Sequence, residues 1–165
     1  NMELSRKIAA EITKYAVEYQ ADVIVFEYLE MQGKISGKKK QKLHLWRKRD
    51  IQKLCEHQAH RNGIRVSMVS ARNTSRLACD GSGAVVRNQE NHSLCTFRTG
   101  KQYNCDLSAS YNIGARYFIR ELLKPLPETE RSSLEAKVPA VKRRTSCVYA
   151  DLRKLYVEVN NLKAA

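Results

Sequence analysis

Two acidic residues, Glu27 and Asp106, stand where a carboxylate could take part in chemistry. Glu27 ends a short, continuous apolar run that predicts a buried strand, and Asp106 opens a segment with helical periodicity. In an α/β sheet, functional side chains gather at the carboxyl ends of strands and at nearby helix N-termini. We therefore expect the two carboxylates to converge and to hold a hard divalent cation such as Mg²⁺ between them.

Each acid also has a purely structural explanation. Glu27 can be a solvated residue at the end of its strand. Asp106 can cap its helix, because a carboxylate there accepts hydrogen bonds from backbone N–H groups and faces the positive end of the helix dipole. Neither role requires a metal.

Basic residues are the second feature that could carry a function. The 165 residues include 30 Lys+Arg against 17 Asp+Glu, a net charge of +13. A polyanion is the first candidate partner, since neutralising phosphates releases condensed counterions. The alternative is a solvated basic surface. The residues expected to contact phosphates lie in a connector and in the helix after it: Lys38, Lys39, Lys40, Lys42, Arg47, Lys48, Arg49 and Lys53.

The five cysteines lie at positions 55, 79, 95, 105 and 147. Their number is odd, and no signal peptide or apolar run of membrane-spanning length accompanies them, which predicts a reduced, cytoplasmic chain with no membrane segment. In such a chain cysteines are either small buried apolar residues or metal ligands.

The elements that must position these residues follow from hydrophobic periodicity. Residues 3–20 predict an amphipathic helix, and residues 22–26 a strand buried on both faces, as in a parallel sheet. A basic helix over residues 43–61 should end at Asn62-Gly63, before a second strand over 64–69. The buried stripe of the first helix is expected to comprise Leu4, Ile8, Ile12, Tyr15 and Tyr19.

The second half of the chain is more irregular. Residues 72–105 are rich in Gly, Asn and Thr and predict a small insertion of hairpins. A helix is expected over residues 106–123, where Pro125 and Pro127 end it. Residues 132–135 have the spacing of a capping box, and residues 147–162 predict a last amphipathic helix. The apolar periodicity of the helix over 106–123 rests on Leu107, Tyr111, Ile113, Phe118 and Leu122.

Several stretches resemble, in the same order along the chain, TnpB and the related type V CRISPR effectors, whose nuclease is a split RuvC domain of the RNase H-like fold. Among them, Leu54–Gly63 and the strand to Val69 resemble the family's connector of a helix and a strand, and Thr74-Ser75 stands before its zinc ribbon. Residues 21–29, Ala-Asp-Val-Ile-Val-Phe-Glu-Tyr-Leu, resemble the second RuvC motif, in which a strand delivers a metal-binding Glu. Residues 106–116, Asp-Leu-Ser-Ala-Ser-Tyr-Asn-Ile-Gly-Ala-Arg, resemble the third. The resemblance implies that Glu27 and Asp106 are catalytic magnesium ligands, and we count Arg116 with the nucleic-acid-binding residues. The order of the motifs along the chain favours a metal site at these two acids over the purely structural explanations.

The resemblance implies an α/β fold: a truncated RNase H-like (RuvC) core over residues 3–123 with long flanking helices, followed by a helical extension over 124–165. The implied function is magnesium-dependent phosphodiester hydrolysis by an RNA-guided DNA endonuclease, with DNA and guide RNA as partners. The family's leading motif, with its Asp, is expected upstream of residue 1, so these 165 residues alone should show little or no cleavage. Two alternatives remain: a catalytically dead nucleic-acid-binding module and a non-functional remnant of a mobile element.

The predicted insertion at residues 72–105 resembles a degenerate form of the family's zinc ribbon. The family has two Cys-x-x-Cys pairs, but residues 79–82 read Cys-Asp-Gly-Ser and residues 95–98 read Cys-Thr-Phe-Arg, so only Cys79 and Cys95 remain. A structural zinc requires four N or S ligands, and the spacing of His92 and Cys105 fits no usual pair. We therefore expect no zinc here. An incomplete core should also expose an unpaired sheet edge and promote self-association.

Overall fold

The computed structural model describes residues 2–28, 48–143 and 145–164. The chain divides into two compact units, Asn1–Met68 and Val69–Ala165. Helices and small sheets both occur, so the protein is mixed α/β, in agreement with the predicted class. Most of the predicted phosphate-contacting residues lie outside the described part of the chain: Lys38, Lys39, Lys40, Lys42, Arg47 and the side chain of Lys48.

The first unit contains a two-stranded sheet and two helices. The helix α1 (Met2–Glu18) precedes the strand β1 (Val23–Tyr28), and the helix α2 (Lys48–Arg61) precedes the strand β2 (Arg65–Ser70). The last two residues of β2, Val69 and Ser70, belong to the second unit. The backbone N–H of Arg65 donates to the carbonyl of Asp22 over 3.0 Å, which joins the beginnings of the two paired strands. Strands paired in this way run parallel, because an antiparallel pair would join the start of one to the end of the other.

The face that α1 buries differs from the predicted one. Of the predicted stripe, Leu4, Ile8, Tyr15 and Tyr19 are exposed, and only Ile12 is partly buried. The buried residues are small: Ser5, Ala9, Thr13 and Ala16. Small side chains let α1 approach α2 so closely that the Cys55 thiol donates to the carbonyl of Ala9 over 3.7 Å. Larger residues at this contact would hold the two backbones apart.

Both helices of this unit end in the same hydrogen-bonded motif. After α2, the N–H of Ile64 donates to Ala59 (3.0 Å) while Gly63 adopts a φ of +71°, as expected for a glycine that stops a helix. After α1, Ala21 donates to Ala16 (2.8 Å) and Gln20 takes the left-handed position. The predicted stop at Asn62-Gly63 is thereby confirmed. These turns deliver the strands so that Ile24, Phe26, Ile64 and Val66 pack against Ala16 and Ala59.

The second unit begins with the predicted irregular hairpins. The short strands β3 (Val86–Arg87), β4 (Leu94–Thr96) and β5 (Gln102–Asn104) form an antiparallel sheet in that order. They lead directly into the helix α3 (Cys105–Leu123), which ends before Pro125 as predicted. The register places Cys95 opposite Tyr103.

The α-helices α4 (Glu128–Lys137) and α5 (Tyr149–Ala164) and the short 3-10 helix between them (Pro139–Arg143) share one core with α3. The predicted division at residue 124 therefore falls inside the second compact unit. The predicted capping box is wrong, because Ser132 and Glu135 lie within α4, which begins directly after Pro127. Pro127 is the N-cap residue, a position where the missing N–H of proline costs no hydrogen bond within the helix. The shared core comprises Ile119, Leu123, Leu134, Val138, Val141, Cys147, Leu155 and Val159.

Over residues 2–28, 48–143 and 145–164, no helix has both the length and the apolar character needed to cross a bilayer.

Candidate metal and nucleic-acid site

Asp106 lies in the first turn of α3, and its side chain is exposed. Asn104 caps the helix instead: its Oδ1 accepts hydrogen bonds from the N–H groups of Asp106 and Leu107, each over 2.9 Å. Within the described residues the Asp106 carboxylate has no hydrogen bond or ion pair. The capping role that could explain an aspartate here is therefore filled by another residue, and the Asp106 oxygens are available to a ligand.

Substitutions at these two positions separate a cap from a ligand. Asn104→Ala should lower the free energy of unfolding by about 1 kcal/mol, because it removes the cap of α3. Asp106→Asn should lower it by about 0.5 kcal/mol or less, through the weaker interaction with the helix dipole alone. Urea denaturation followed by circular dichroism measures both. A loss from Asp106→Asn equal to that from Asn104→Ala would return Asp106 to a capping role.

Glu27 is the penultimate residue of β1, which ends at Tyr28, two residues beyond the predicted strand over 22–26. Side chains alternate along a strand, so Glu27 shares a sheet face with Val25, opposite the face on which Ile24 and Phe26 pack against the helices. The Glu27 side chain is partly buried. Its backbone carbonyl accepts a hydrogen bond from Nε2 of Gln52 over 3.1 Å, which ties this end of β1 to α2.

The two acids differ in what surrounds them but not in chemistry. Both offer hard carboxylate oxygens, the ligands that Mg²⁺ prefers, so the donor set fits that ion. Glu27 belongs to the first unit and Asp106 to the second, and their convergence stays a prediction. In the described part of the chain, no three His, Cys, Asp or Glu side chains cluster closely enough to hold a metal.

Asn112, six residues after Asp106, is fully buried in the second unit. Its amide donates to the carbonyls of Thr74 (3.0 Å) and Leu77 (2.8 Å), and its Oδ1 accepts from the N–H of Tyr149 (3.1 Å). These three bonds satisfy backbone groups of an irregular segment and of the start of α5. Asn112 therefore fastens α3 between two other parts of the unit.

Arg116 lies one turn further along α3 and is only 4% exposed. Its guanidinium donates to the carbonyls of Ser70 and Cys147, the latter over 3.1 Å. A residue that contacts phosphates must lie on the surface, so the prediction that Arg116 binds nucleic acid is wrong. Arg116 and Asn112 both hold α3 in place, so the motif around Asp106 contains one exposed acid and two buried anchors. The sequence motif contained both anchors, but periodicity gave no signal that polar residues would be buried.

Arg49 and Lys53 are the predicted phosphate-contacting residues whose side chains are described. Both are exposed and lie four residues apart on α2, so they share one face of the helix. His57 and His60 continue the same exposed face towards the end of α2. The structure thus gathers part of the predicted basic surface on one helix face of the first unit.

The ribbon-like segment contains three cysteines that are close to one another. Cys95 and Cys105 are buried in a small core, and Cys79 packs against it. Burial, followed by the neighbouring thiol of Cys105, raises the pKa of Cys95 to about 11. The spacing of the cysteines in the sequence did not predict that Cys105 lies beside Cys95, because only the antiparallel pairing of β4 with β5 brings the two together.

The two loops that follow Cys79 and Cys95 are joined by polar side chains. Oδ1 of Asp80 accepts a hydrogen bond from the N–H of Ser82 over 2.9 Å, which shapes the first loop. Oδ2 of Asp80 accepts another from the hydroxyl of Thr99 over 3.4 Å, which connects the second loop to the first. These protein contacts span the loops in which the resemblance would place the two absent cysteines.

Comparison of the chain with models of protein families and with curated proteins found no match.

Proposed function

We propose that this chain is part of the nuclease lobe of a TnpB-like, RNA-guided DNA endonuclease with a RuvC-type site. The exposed carboxylate of Asp106, relieved of capping by Asn104, is the single observation that carries this proposal. Support for an RNase H-like core comes from the parallel pairing of β1 with β2 and from the position of Glu27 near the C-terminal end of β1. The antiparallel β3–β5 sheet with Cys79 and Cys95 is the counterpart of a degenerate ribbon.

In this function the chain's own residues have distinct tasks. Glu27 and Asp106 would bind divalent magnesium, which when bound supplies an activated water and stabilises the leaving oxygen of a phosphodiester. Asn112 and Arg116 keep α3 fixed, and so hold the Asp106 backbone in one position. Gln52 performs a similar task for Glu27 through its bond to the Glu27 carbonyl.

The basic surface would bind the nucleic-acid backbone. A net charge of +13 favours a polyanionic partner, and Arg49 and Lys53 present two of these charges on one exposed face of α2. In RNA-guided endonucleases base pairing provides the sequence specificity, so the protein surface needs to recognise only the backbone. Affinity for nucleic acid should therefore be insensitive to sequence and sensitive to salt.

The salt dependence of binding tests this role. For a single-stranded oligonucleotide, the double substitution Arg49→Ala, Lys53→Ala should reduce the slope of log affinity against log salt by about 1.4, because about 0.7 is lost per phosphate contact. Fluorescence anisotropy at several salt concentrations measures the slope. Lys7→Ala, an exposed lysine paired with Glu3 on α1, is the control and should leave the slope unchanged. Wild-type binding that ignores salt would refute the electrostatic role.

A catalytically dead nucleic-acid-binding module is the second candidate function. It is favoured by one observation, that no group of three metal-ligating side chains occurs among the residues that the structure describes. This module would keep the same salt-dependent affinity but would bind no divalent cation through Glu27 and Asp106. Titration with Mn²⁺ of the wild type and of variants at Glu27 and Asp106 distinguishes the two functions.

A further inference from the structure

The helix α3 presents a stripe of large apolar side chains to solvent. Leu107, Tyr111 and Phe118 follow one another at spacings of four and seven residues, so they lie on one face of the helix. All three are exposed, and the Phe118 side chain is 53% exposed. The stripe begins next to Asp106, the proposed metal ligand. Aromatic residues so placed are available to a binding partner.

The stripe runs into a groove between α3 and α5, within the second unit. Phe118 and Leu122 form one wall, and Tyr149, Arg153, Tyr156 and Val157 contribute the other, around a space of about 430 Å³. Tyr156 is 57% exposed. The rings of Tyr111 and Tyr149 lie 5.2 Å apart, which joins the stripe to the groove. The volume falls within the range of small-ligand sites.

We infer that this aromatic groove, defined as the space lined by Phe118, Tyr149, Arg153 and Tyr156, stacks the bases of a single-stranded nucleic acid. The inference rests on the proposed function and adds to it the part of the substrate that this surface binds. Aromatic side chains stack on any base, and arginine binds either a phosphate or the face of a base. Within the described part of the chain, Arg153 is the charged residue on the wall of the groove, and its charge complements a phosphate backbone.

The charge of the chain also decides between two possible occupants. A second copy of the protein could cover the same apolar surface. Each copy carries a net charge of +13, so pairing two copies brings together like charges that repel, whereas a nucleic-acid strand neutralises them. Single-stranded rather than duplex nucleic acid is favoured, because its bases are unpaired and their faces can reach aromatic side chains.

The test uses the whole chain and a single-stranded oligothymidylate that contains one 2-aminopurine, whose fluorescence is quenched on stacking. Phe118→Ala and Tyr156→Ala should each weaken binding by about tenfold and reduce the quenching. Phe118→Trp, which keeps an aromatic ring, should retain both. Tyr19→Ala removes a side chain that is 65% exposed in the turn just after α1 and should change neither. Circular dichroism of each variant establishes that the fold is intact.

The outcomes separate this inference from the proposed function. Salt-dependent binding by the wild type without a stacking signal, or with unchanged affinity in Phe118→Ala, overturns the groove as a base-binding surface and leaves the proposed function standing. Absence of any nucleic-acid binding by the wild type overturns both. A fall in mass by light scattering in Phe118→Ala, with nucleic-acid affinity unchanged, assigns the groove to a second copy and also overturns the inference.

Discussion

Replacing Asn112 with leucine is expected to lower the free energy of unfolding of the second unit by about 4 kcal/mol. The substitution removes the three hydrogen bonds that a fully buried amide makes to the carbonyls of Thr74 and Leu77 and to the N–H of Tyr149. A buried backbone group that loses its hydrogen bond costs about 1–3 kcal/mol. The bond to Thr74 is buried and the other two are partly buried, so the total lies near the lower end of the sum. Urea denaturation measures the total loss. Hydrogen exchange should accelerate most at residues 77–80 and 149–152.

Matched variants separate this role from a general intolerance of substitution. Asn160→Leu changes an exposed asparagine on α5 and should alter stability by about 0.5 kcal/mol or less. Asn112→Asp should be almost as damaging as Asn112→Leu, because it places a carboxylate oxygen against the carbonyls of Thr74 and Leu77. The amides of α1, in the other unit, serve as the internal reference. If Asn112→Leu were as stable as Asn160→Leu, the anchoring role of Asn112 would have to be abandoned.

The anchoring of α3 shows where hydrophobic periodicity stops being informative. The periodicity of residues 106–123 predicted the helix, and the structure confirms it, but several of its large apolar residues face solvent. Asn112 and Arg116 are buried instead, because they satisfy backbone carbonyls of the segments that pack around α3. Only the tertiary neighbours decide which polar residue can be buried in this way.

The buried face of α1 likewise could not be predicted from periodicity. Its existence followed from the sequence, yet the face that packs is made of alanine, serine and threonine rather than of leucine and tyrosine. What decides is the close approach of α1 to α2 at Ala9 and Cys55, a distance that no pattern within one helix contains. Local stops were more predictable, since a left-handed residue such as Gly63 ends a helix whatever surrounds it.

At the candidate site, too, some features could be predicted from the sequence and others could not. The positions of Glu27 near a strand end and of Asp106 at a helix start were predicted from local pattern, and both elements occur. That Asn104 rather than Asp106 caps α3 could not be predicted, because both residue types are good caps and they lie only two positions apart. The proximity of Cys105 to Cys95 likewise depended on strand register.

A shared metal ion at Glu27 and Asp106 would have a measurable signature. Mn²⁺ substitutes for Mg²⁺ at oxygen sites, and its electron paramagnetic resonance signal reports how much of the ion is unbound. Glu27→Gln and Asp106→Asn should each weaken Mn²⁺ binding by at least about tenfold, the smallest loss seen when even an outer partner of a metal ligand is removed. Both substitutions keep the size of the side chain and remove its charge. Glu90→Gln, an exposed acid in the hairpin segment, should have no effect.

The double substitution shows whether the two carboxylates hold the same ion. When two ligands share one ion, removing the second after the first costs much less than removing it from the intact site, so the two losses are not additive. If each carboxylate instead belonged to its own weak site, the loss of Mn²⁺ binding in the double variant would equal the sum of the losses in the two single variants. This result would exclude a shared ion. Binding that neither substitution changes would remove the metal from the proposal and favour the dead nucleic-acid-binding module. Because Asp106→Asn is expected to leave the cap of α3 intact, a loss of Mn²⁺ binding in that variant is attributable to the carboxylate and not to the helix.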